Sequence, residues 1–233
     1  MSFNYSPKIV TDGLISYLDA GNTKSYVSGS NTWSDLSKNQ NNSTLINGPL
    51  FDSSNLGSIV FDGINDYVNV PRAIVTTAFT INMWIKPTGD SLTGSTSYSG
   101  MVNRFNGYNN QRNRFLINAG FTFFNFQAIV SGVTYDILSD TFSSVLNKNS
   151  MATVTYNGSN VKFYLNVNSV MITPFSMSGS LDSGTLAATI GWGANSTDYF
   201  FNGKIYTYQV YNKSLSDIEI TQNYNALKGR FII

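Results

Sequence analysis

Residues 151–167, with the sequence MATVTYNGSNVKFYLNV, contain two runs of alternating side chains on either side of a turn sequence. Alternation with a period of two is typical of a β-strand that buries one face. The intervening Asn157-Gly158-Ser159-Asn160 supplies residues that tolerate the positive φ angles of a tight turn. The stretch therefore predicts a β-hairpin formed by Met151 to Tyr156 and Val161 to Val167. The side chains predicted on the buried face of its second strand are Val161, Phe163, Leu165 and Val167.

A run upstream, Phe79 to Lys86, has the same alternation. One predicted face carries Phe79, Ile81, Met83 and Ile85, and the other carries Thr80, Asn82, Trp84 and Lys86. This pattern predicts a strand with one buried face. Pro87 is expected to end the strand, because proline has no N–H to give to a neighbouring strand.

Other strand-like runs surround these two, and Gly and Asn separate them. They are Ile59 to Phe61, Tyr67 to Val70, Phe115 to Asn118, Phe121 to Val130 and Lys204 to Tyr211. Many short strands with such turns are typical of an antiparallel sandwich, so the sequence predicts an all-β fold. The polar segment 88–114 has no periodicity and predicts one or two long surface loops. Phe61-Asp62-Gly63 and Phe201-Asn202-Gly203 predict two similar sharp corners, in which glycine takes the strained position.

One short helix is predicted near the C-terminus. Ser216 and Glu219 have the spacing of a capping box, and Leu215 and Ile220 have that of a hydrophobic staple. Ile220, Tyr224 and Leu227 form the predicted apolar stripe. Gly229 is expected to end the helix, with Lys228 in its last turn. Glu219 is the only glutamate of the chain, and the pattern gives it a capping role.

The composition removes most common kinds of active site. The chain has no histidine and no cysteine, so a Ser-His-Asp triad, a Cys-His pair and a His/Cys zinc site are excluded. Acid–base chemistry would depend on Asp, Tyr or Lys, and the twelve aspartates suggest no paired catalytic carboxylates. A binding or structural protein is therefore favoured over an enzyme.

Charge and hydropathy limit the expected partners and location. Charged residues make up 12% of the chain and the net charge is +1, so we expect neither nucleic acid nor an anionic membrane as a partner. No run approaches the roughly 20 apolar residues that span a bilayer, and no secretory signal is evident in the first ten residues. We expect an N-terminal arm, residues 1–12, and a single domain, residues 13–233.

An ordered series of motifs resembles a laminin-G-like domain of the concanavalin A-like lectin/glucanase superfamily. The motifs cover roughly residues 13–228 and are GLISYLD (13–19), WSDLS (33–37), SIVFDGINDYV (58–68), FTINMWIK (79–86), FNGKI (201–205) and NKSLSDIEI (212–220). The resemblance implies a jelly-roll sandwich of two antiparallel sheets with one short C-terminal helix. It also implies the binding of glycans or proteins, in some members with calcium.

The segment 17–22, YLDAGN, also resembles versions of this domain that tailed bacteriophages encode. The expected context is therefore a virion surface, reached after synthesis in the host cytoplasm. The superfamily's glucanases resemble one another in a strand with closely spaced glutamates, and its lyase-like members use histidine. Since neither feature is present, the resemblance implies no enzymatic activity.

The best candidate for ligand binding is the segment from Asn103 to Arg114. Asn and Arg side chains can each engage two sugar hydroxyls, while a tyrosine offers a flat apolar face to a sugar ring. The candidates are Arg104, Asn106, Tyr108, Asn109, Asn110, Arg112 and Asn113. The alternative interpretation is a solvated hairpin loop.

A second candidate is Trp192, which stands between Gly191 and Gly193 and precedes Asn195. It could act as a stacking surface for a sugar, or it could be a core or rim aromatic in a tight turn. Asp62 and Asp66, with Asn65 between them, are the candidate ligands for calcium, which prefers oxygen donors. In the alternative interpretation these two aspartates cap turns.

The sequence-based hypothesis is a non-enzymatic virion surface protein, either a capsid decoration or a fibre-associated module. It would attach to glycans on host cells or mucus, with many copies compensating for weak single sites. The alternatives are a purely structural decoration or cement protein and, less favoured, a glycan-processing enzyme. Expected partners are glycans, other virion proteins and other copies of the chain. The apolar end, residues 231–233, could dock on a neighbour or pair as a final strand.

Overall fold

A computed structural model describes residues 8–71, 77–92, 98–103, 113–171, 173–181, 187–192 and 199–231. Two antiparallel sheets dominate the described residues. The strands are β1 (Leu14–Asp19), β2 (Thr32–Trp33), β3 (Ser43–Ile46), β4 (Leu50–Asp52), β5 (Ser58–Asp62), β6 (Tyr67–Val70), β7 (Phe79–Gly89), β8 (Tyr98–Asn103), β9 (Arg114–Asn118), β10 (Phe124–Val130), β11 (Val133–Leu138), β12 (Ser150–Tyr156), β13 (Asn160–Leu165), β14 (Asn168–Ser169), β15 (Phe175–Ser176), β16 (Ala188–Ile190) and β17 (Asn202–Tyr211).

The two sheets have different strand orders. Sheet A has nine strands in the order β14-β13-β12-β7-β17-β5-β4, with β1 also paired to β17 and β15 to β13. Sheet B has eight strands in the order β11-β10-β9-β8-β16-β6-β3-β2. One helix, α1 (Asp217–Leu227), follows the last strand and continues into a 3₁₀ turn, Lys228–Phe231. None of the helices in the described ranges is long and apolar enough to cross a membrane.

The predicted all-β sandwich is confirmed, since the inner faces of the two sheets meet in one large apolar core. Sheet A contributes Ile81, Met83, Val154 and Phe163, among others, and sheet B contributes Phe115, Phe126, Val68 and Ile190. A smaller cluster lies on the outer face of sheet A, between the sheet and helix α1. The C-terminal segment therefore covers part of the outer face of sheet A.

The hairpin of residues 151–167 is also confirmed. Strands β12 and β13 pair in register from Ala152 with Leu165 to Tyr156 with Val161. Asn157 closes the turn through its side chain, whose Oδ1 accepts the N–H groups of Ser159 and Asn160 at 3.0 and 2.7 Å. Val167 is the exception to the predicted buried face, because it lies beyond β13 in the turn before β14 and is 37% exposed.

Two predictions about β7 are wrong. The face that carries Thr80, Asn82 and Trp84 is buried, because the C-terminal segment covers it and Trp84 stacks on Phe231. Pro87 does not end the strand, which continues to Gly89. The ladder with β12 stops at Ile85, so the missing N–H of Pro87 lies beyond that partner, next to a register shift with β17.

The prediction of loops throughout residues 88–114 is wrong for residues 98–103, which form β8 between β9 and β16. Met101 and Val102 of this strand are both buried in the core. A register shift between Gly100 and Val102 breaks the alternation. The irregular register explains why no period of two marks this strand in the sequence.

Helix α1 begins as predicted. Ser216 and Glu219 form a reciprocal capping box, and both Leu215 and Ile220 are buried. The α-helix ends at Leu227 with Lys228 as its C-cap, next to the predicted stop at Gly229, and the chain then continues through Gly229 in a 3₁₀ turn. Phe231 is not an exposed docking residue, since it is 1% exposed and packs on Trp84 and Tyr206 with ring centroids 4.2 and 4.7 Å apart.

The two predicted corners lie side by side. Asn202 pairs with Asp62, and Gly203 pairs with Phe61, so both corners end strands of the same ladder. Residues ahead of β1 pack on the helix: the N–H of Val10 donates to Asn223 Oδ1 at 2.8 Å. The division into an N-terminal arm, residues 1–12, and one domain, residues 13–233, stays a prediction.

Candidate functional site

A row of polar residues crosses the outer face of sheet B. Their apolar strand neighbours, such as Val68, Phe115 and Phe126, point into the core, so the alternation of each strand directs the row away from it. The strand register aligns Thr44, Asn69, Thr189, Arg114, Gln127 and Asp136 in one line, which crosses β8 at the backbone of Asn103. At roughly 4.8 Å per strand, the line is about 29 Å long.

The predicted binding segment starts and ends in this row, because Asn103 pairs with Arg114. Arg104, Asn106, Tyr108, Asn109, Asn110 and Arg112 lie outside the described residues, as does Asn195. The two described residues at its end are buried and bonded: Asn113 Oδ1 accepts the N–H of Ile129 at 2.8 Å, and Arg114 Nε donates to Gln127 Oε1 at 2.6 Å. The roles predicted for the segment stay predictions.

Trp192 lies beside the end of this segment. Thr189, the row neighbour of Asn103, donates its hydroxyl to the carbonyl of Trp192 at 3.1 Å. The structure therefore brings the two sequence-predicted regions to the same part of sheet B. Trp192 is half-buried, with its ring stacked on Phe200 at 5.8 Å and tilted against Tyr67 at 5.3 Å.

Gly191 is required for the position of Trp192. Its φ angle is +83°, and a Cβ there would lie 2.5 Å from the ring of Phe61. Trp192 is thus a half-buried rim aromatic in a tight turn, with its ring packed against Phe200 and Tyr67. A rim position is compatible with ligand stacking.

Sequence reasoning missed a second group of aromatic residues on this face. Tyr98 makes edge contacts with Phe123 and Tyr199, with centroids 6.3 and 6.0 Å apart, and Arg114 lies 5.1 Å above the ring of Tyr199. Burial raises the pKa of Tyr98, and the charge of Asp136 acts in the same direction. Since these residues come from segments far apart in the chain, no local motif marks the group.

Asn125 lies next to this group and is fully buried. Its Nδ2 donates to Asp136 Oδ1, while its Oδ1 has no hydrogen-bond partner among the described residues. Asp136 is exposed on edge strand β11. Polar side chains thus lie at both ends of the row: Thr44 and Asn69 near Trp192, and Gln127 and Asp136 near Tyr98.

Asp62 and Asp66 form a close pair at the corner between β5 and β6. Asp62 Oδ1 accepts the N–H groups of Ile64 and Asn65 at 2.8 and 3.3 Å, and Asp66 Oδ2 accepts the N–H of Asp62 at 3.1 Å. Burial, together with the charge of Asp62, raises the pKa of Asp66 to about 6. Both side chains therefore cap the turn, as the alternative interpretation expected.

A calcium ion would need more oxygen ligands than this pair provides. In the described ranges, no group of three or more acidic side chains comes together. Backbone carbonyls and water would have to complete the coordination of a cation. Calcium binding at Asp62 and Asp66 stays a prediction.

Both oxygens of the Glu219 carboxylate take part in contacts that hold the start of helix α1. The carboxylate accepts from the N–H of Ser216 at 2.9 Å and forms an ion pair with Lys213 at 2.7 Å. The Lys213 ammonium and the N–H of Ser216 lower the pKa of Glu219. A general acid needs a raised pKa, so this glutamate is poorly suited to that role.

Comparison with known proteins identifies the fold family. The family model described as Concanavalin A-like lectin/glucanases superfamily matches residues 62–221, well over half of the chain. The chain belongs to this superfamily. No curated protein matches it.

Solved structures of the superfamily fold match most of the chain at low sequence identity. The binding domain of a Paraclostridial mosquitocidal protein has a TM-score of 0.69 and 16% identity over 92% of this chain and 52% of that domain. The receptor-binding domain of botulinum neurotoxin D has a TM-score of 0.66 and 18% identity, and the match covers 92% of this chain and 52% of that domain. Domain 4 of an arabinanase from Geobacillus stearothermophilus, solved with arabinotriose, has a TM-score of 0.63 and 15% identity. This match covers 92% of this chain and 100% of that domain.

These similarities establish the fold and not a shared ligand. The chain spans about half the length of the two toxin binding domains and the whole length of the arabinanase domain. These three structures are described as two binding domains and one domain solved with arabinotriose. A Trypanosoma rangeli sialidase also matches, over only 33% of its own chain.

Proposed function

We propose that this superfamily member is a non-enzymatic, lectin-like module that binds glycans through the outer face of sheet B. The observation that carries the proposal is the half-buried Trp192, which packs with Tyr67 beside exposed Thr44 and Asn69. An aromatic ring next to small polar side chains suits a sugar, which has apolar faces and hydroxyls at its edges.

The polar residues near Trp192 suit hydroxyl recognition. Asn69 offers both an amide donor and an acceptor, and exposed Thr44 adds a hydroxyl in the same row, whereas the buried Thr189 hydroxyl is engaged by the carbonyl of Trp192. The Tyr98 group at the other end provides a second aromatic surface, with Asp136 and Gln127 beside it. Neutral sugars are the favoured class, because the exposed charge in this row is the carboxylate of Asp136.

The absence of catalytic activity is part of the proposal. The chain has no histidine or cysteine, and its only glutamate is engaged by Lys213 and the helix start. Asp62 and Asp66 are a close carboxylate pair with one raised pKa, and both hydrogen-bond backbone N–H groups of their own turn. Turnover of a polysaccharide by the purified protein would contradict this part of the proposal.

We further propose a place on a virion surface, as a capsid decoration or fibre-associated protein that attaches to glycans of host cells or mucus. The support is the resemblance of residues 17–22 to bacteriophage-encoded versions of the domain. Many copies per particle would convert weak sites into firm attachment. Antibodies against the protein should label intact particles, and particles that contain no such protein would contradict this context.

A glycan array tests the binding function. The protein is presented multivalently, once with calcium and once with a chelator, alongside Trp192→Ala and a control, Phe175→Ala. Phe175 is 37% exposed on β15 of sheet A, and its ring contacts Tyr135 of β11, four strands away from β16, next to which Trp192 lies. We expect the loss of one stacking contact to weaken single-site affinity about three- to tenfold, and the control to bind as the native chain does.

Two results would contradict the glycan proposal. One is the absence of reproducible binding under either condition, which would favour the purely structural decoration protein. The other is equal binding by Trp192→Ala and the native chain. Circular dichroism of each variant checks that the fold is retained.

A further inference from the structure

A groove of about 780 Å³ lies on the opposite side of the molecule from the proposed glycan site. Its floor is the outer face of the β12–β13 hairpin, where Thr155 and Lys162 are directly paired and Tyr164 follows. Its wall is the segment from Lys213 to Glu219, which includes the first turn of helix α1. Neither the sequence motifs nor the proposed function uses this groove.

Thr155 is the unusual residue of the groove. It is 2% exposed, yet in the described part of the chain no hydrogen bond involves its hydroxyl. The Thr155 hydroxyl is not one of the fully buried polar atoms without a partner, so it keeps a small contact with solvent, and a ligand could take the place of that water. The side chain lines the groove, so a ligand in the groove could accept a hydrogen bond from it.

Lys162 is the second donor. It faces the groove beside Thr155, and within the described residues its ammonium group has no carboxylate partner. The other lysine of the groove, Lys213, is paired with both Asp12 and Glu219, at 2.6 and 2.7 Å. Lys162 therefore supplies a positive charge that the fold itself does not use.

The acceptors of the groove are already engaged. Tyr164 donates its hydroxyl to Asp217 Oδ1 at 2.7 Å, and Glu219 accepts from Lys213 and from the N–H and hydroxyl of Ser216. The start of helix α1 adds the positive end of the helix dipole. The lysines Lys162 and Lys213 and the carboxylates Asp217 and Glu219 balance in formal charge, so what remains for a ligand is two donors that the fold does not engage, the Lys162 ammonium and the Thr155 hydroxyl.

We propose that this groove binds an anionic group of the carboxylate or phosphate class, held by Lys162 and Thr155 at the start of helix α1. The acid group of an acidic sugar and the phosphate of a phosphate-containing polymer share this chemistry. The site lies on the outer face of sheet A and is independent of the glycan site on sheet B. The chain would then carry two binding sites on opposite faces.

The test is an NMR titration of the full chain with three probes: sodium glucuronate, inorganic phosphate and glucose as a neutral control. We expect saturable shifts of the backbone amide signals of Thr155, Lys162 and Ile218 with at least one anion and none with glucose. If only one anion binds, the proposal stands, and the result shows whether the site takes the carboxylate of an acidic sugar or a phosphate. Shifts with glucose at the same residues, or none with either anion, would overturn it.

Substitutions in and outside the groove distinguish anion binding at this site from a general effect of the protein's positive charges. Lys162→Ala should weaken anion binding about tenfold, while Lys24→Ala, which removes an exposed lysine elsewhere, should leave it unchanged. Thr155→Val should weaken binding several-fold without lowering the melting temperature, because it removes a hydroxyl that has no partner. Equal effects of Lys162→Ala and Lys24→Ala, or unchanged binding by Thr155→Val, would overturn the proposal.

Discussion

Asp66 is the acidic residue whose environment most disfavours its charge in the described part of the chain. It is buried at the corner between β5 and β6, next to Asp62, and its pKa is raised to about 6. The ordinary value is 3.8, so folding favours the protonated form. Stability from this group is therefore fully present below about pH 4 and is lost as the pH rises through about 6.

We expect the free energy of unfolding, measured in chelator, to fall between pH 4 and 7 by up to about 3 kcal/mol. The chain has no histidine, so few other groups titrate in the upper part of this range. Asp66→Asn retains an acceptor for the N–H of Asp62 but cannot ionise, so it should flatten the dependence. Asp90→Asn, at an exposed position, is the control. A native chain whose stability does not change over this range would contradict the account of Asp66.

The same pair provides the test of the calcium prediction. A cation held by Asp62 and Asp66 would relieve their mutual repulsion, so millimolar calcium at pH 7 should raise the melting temperature. Asp66→Asn should abolish the rise. An unchanged melting temperature of the native chain would reject a cation site at this corner.

Thr207 lies on the outer face of β17, beneath the C-terminal segment, and is fully buried. Its hydroxyl has no hydrogen-bond partner among the described residues, and the same is true of polar atoms in Asn82, Thr153 and Gln209. Thr207→Val replaces an unpaired hydroxyl by a methyl group of similar shape. We expect urea unfolding to give unchanged stability or a gain of about 1 kcal/mol. A loss of that size would mean that the hydroxyl is hydrogen-bonded in solution.

At the scale of elements, the C-terminal segment covers part of the outer face of sheet A. Phe231 stacks on Trp84, and Tyr224 of helix α1 lies on the same indole at 5.3 Å. Phe231→Ala should lower the free energy of unfolding by about 3–4 kcal/mol, measured by urea denaturation. Ile218→Ala is the control, since Ile218 is 80% exposed and should change stability by less than about 0.5 kcal/mol. Similar effects of the two substitutions would contradict a packing role for Phe231.

Elements with a regular local pattern could be predicted from the sequence, and irregular elements could not. The β12–β13 hairpin has an alternating pattern and a turn sequence, and the start of helix α1 has a capping box. Each of these signals lies within a few consecutive residues, so it can be seen in the sequence. Strand β8 was missed because the register shift at Gly100 places Met101 and Val102 in the core together. Pro87 was misjudged because its effect depends on whether the ladder with β12 has already ended.

At the scale of the whole molecule, the candidate site is a product of the register between strands. The polar row of sheet B joins residues from Thr44 to Thr189, and no local spacing predicts which strands become neighbours. The sequence identified Trp192 but not Tyr67 or the Tyr98 group, whose importance depends on that register. Thr155 and Lys162 are likewise ordinary strand residues until helix α1 forms a wall beside them.

The two outer faces of the sandwich differ in a way that fits the two proposed binding roles. Helix α1 and the 3₁₀ turn cover much of sheet A, and the remaining groove there offers donors for an anion. Sheet B has exposed polar side chains beside aromatic rings, which suit a neutral sugar. The chain has few charged residues and a net charge of +1, so it has no strong overall field. Anions would therefore be drawn to the groove on sheet A and not to the polar row on sheet B.

The most direct test of the glycan proposal is hydrogen exchange of the native chain, with and without the glycan that binds best on the array. We predict slower exchange in and around β3, β6 and β16, the strands that carry Thr44, Asn69 and Thr189, and no change at Thr155 and Lys162. Protection confined to sheet A, or no protection on sheet B at saturating ligand, would contradict a glycan site at Trp192.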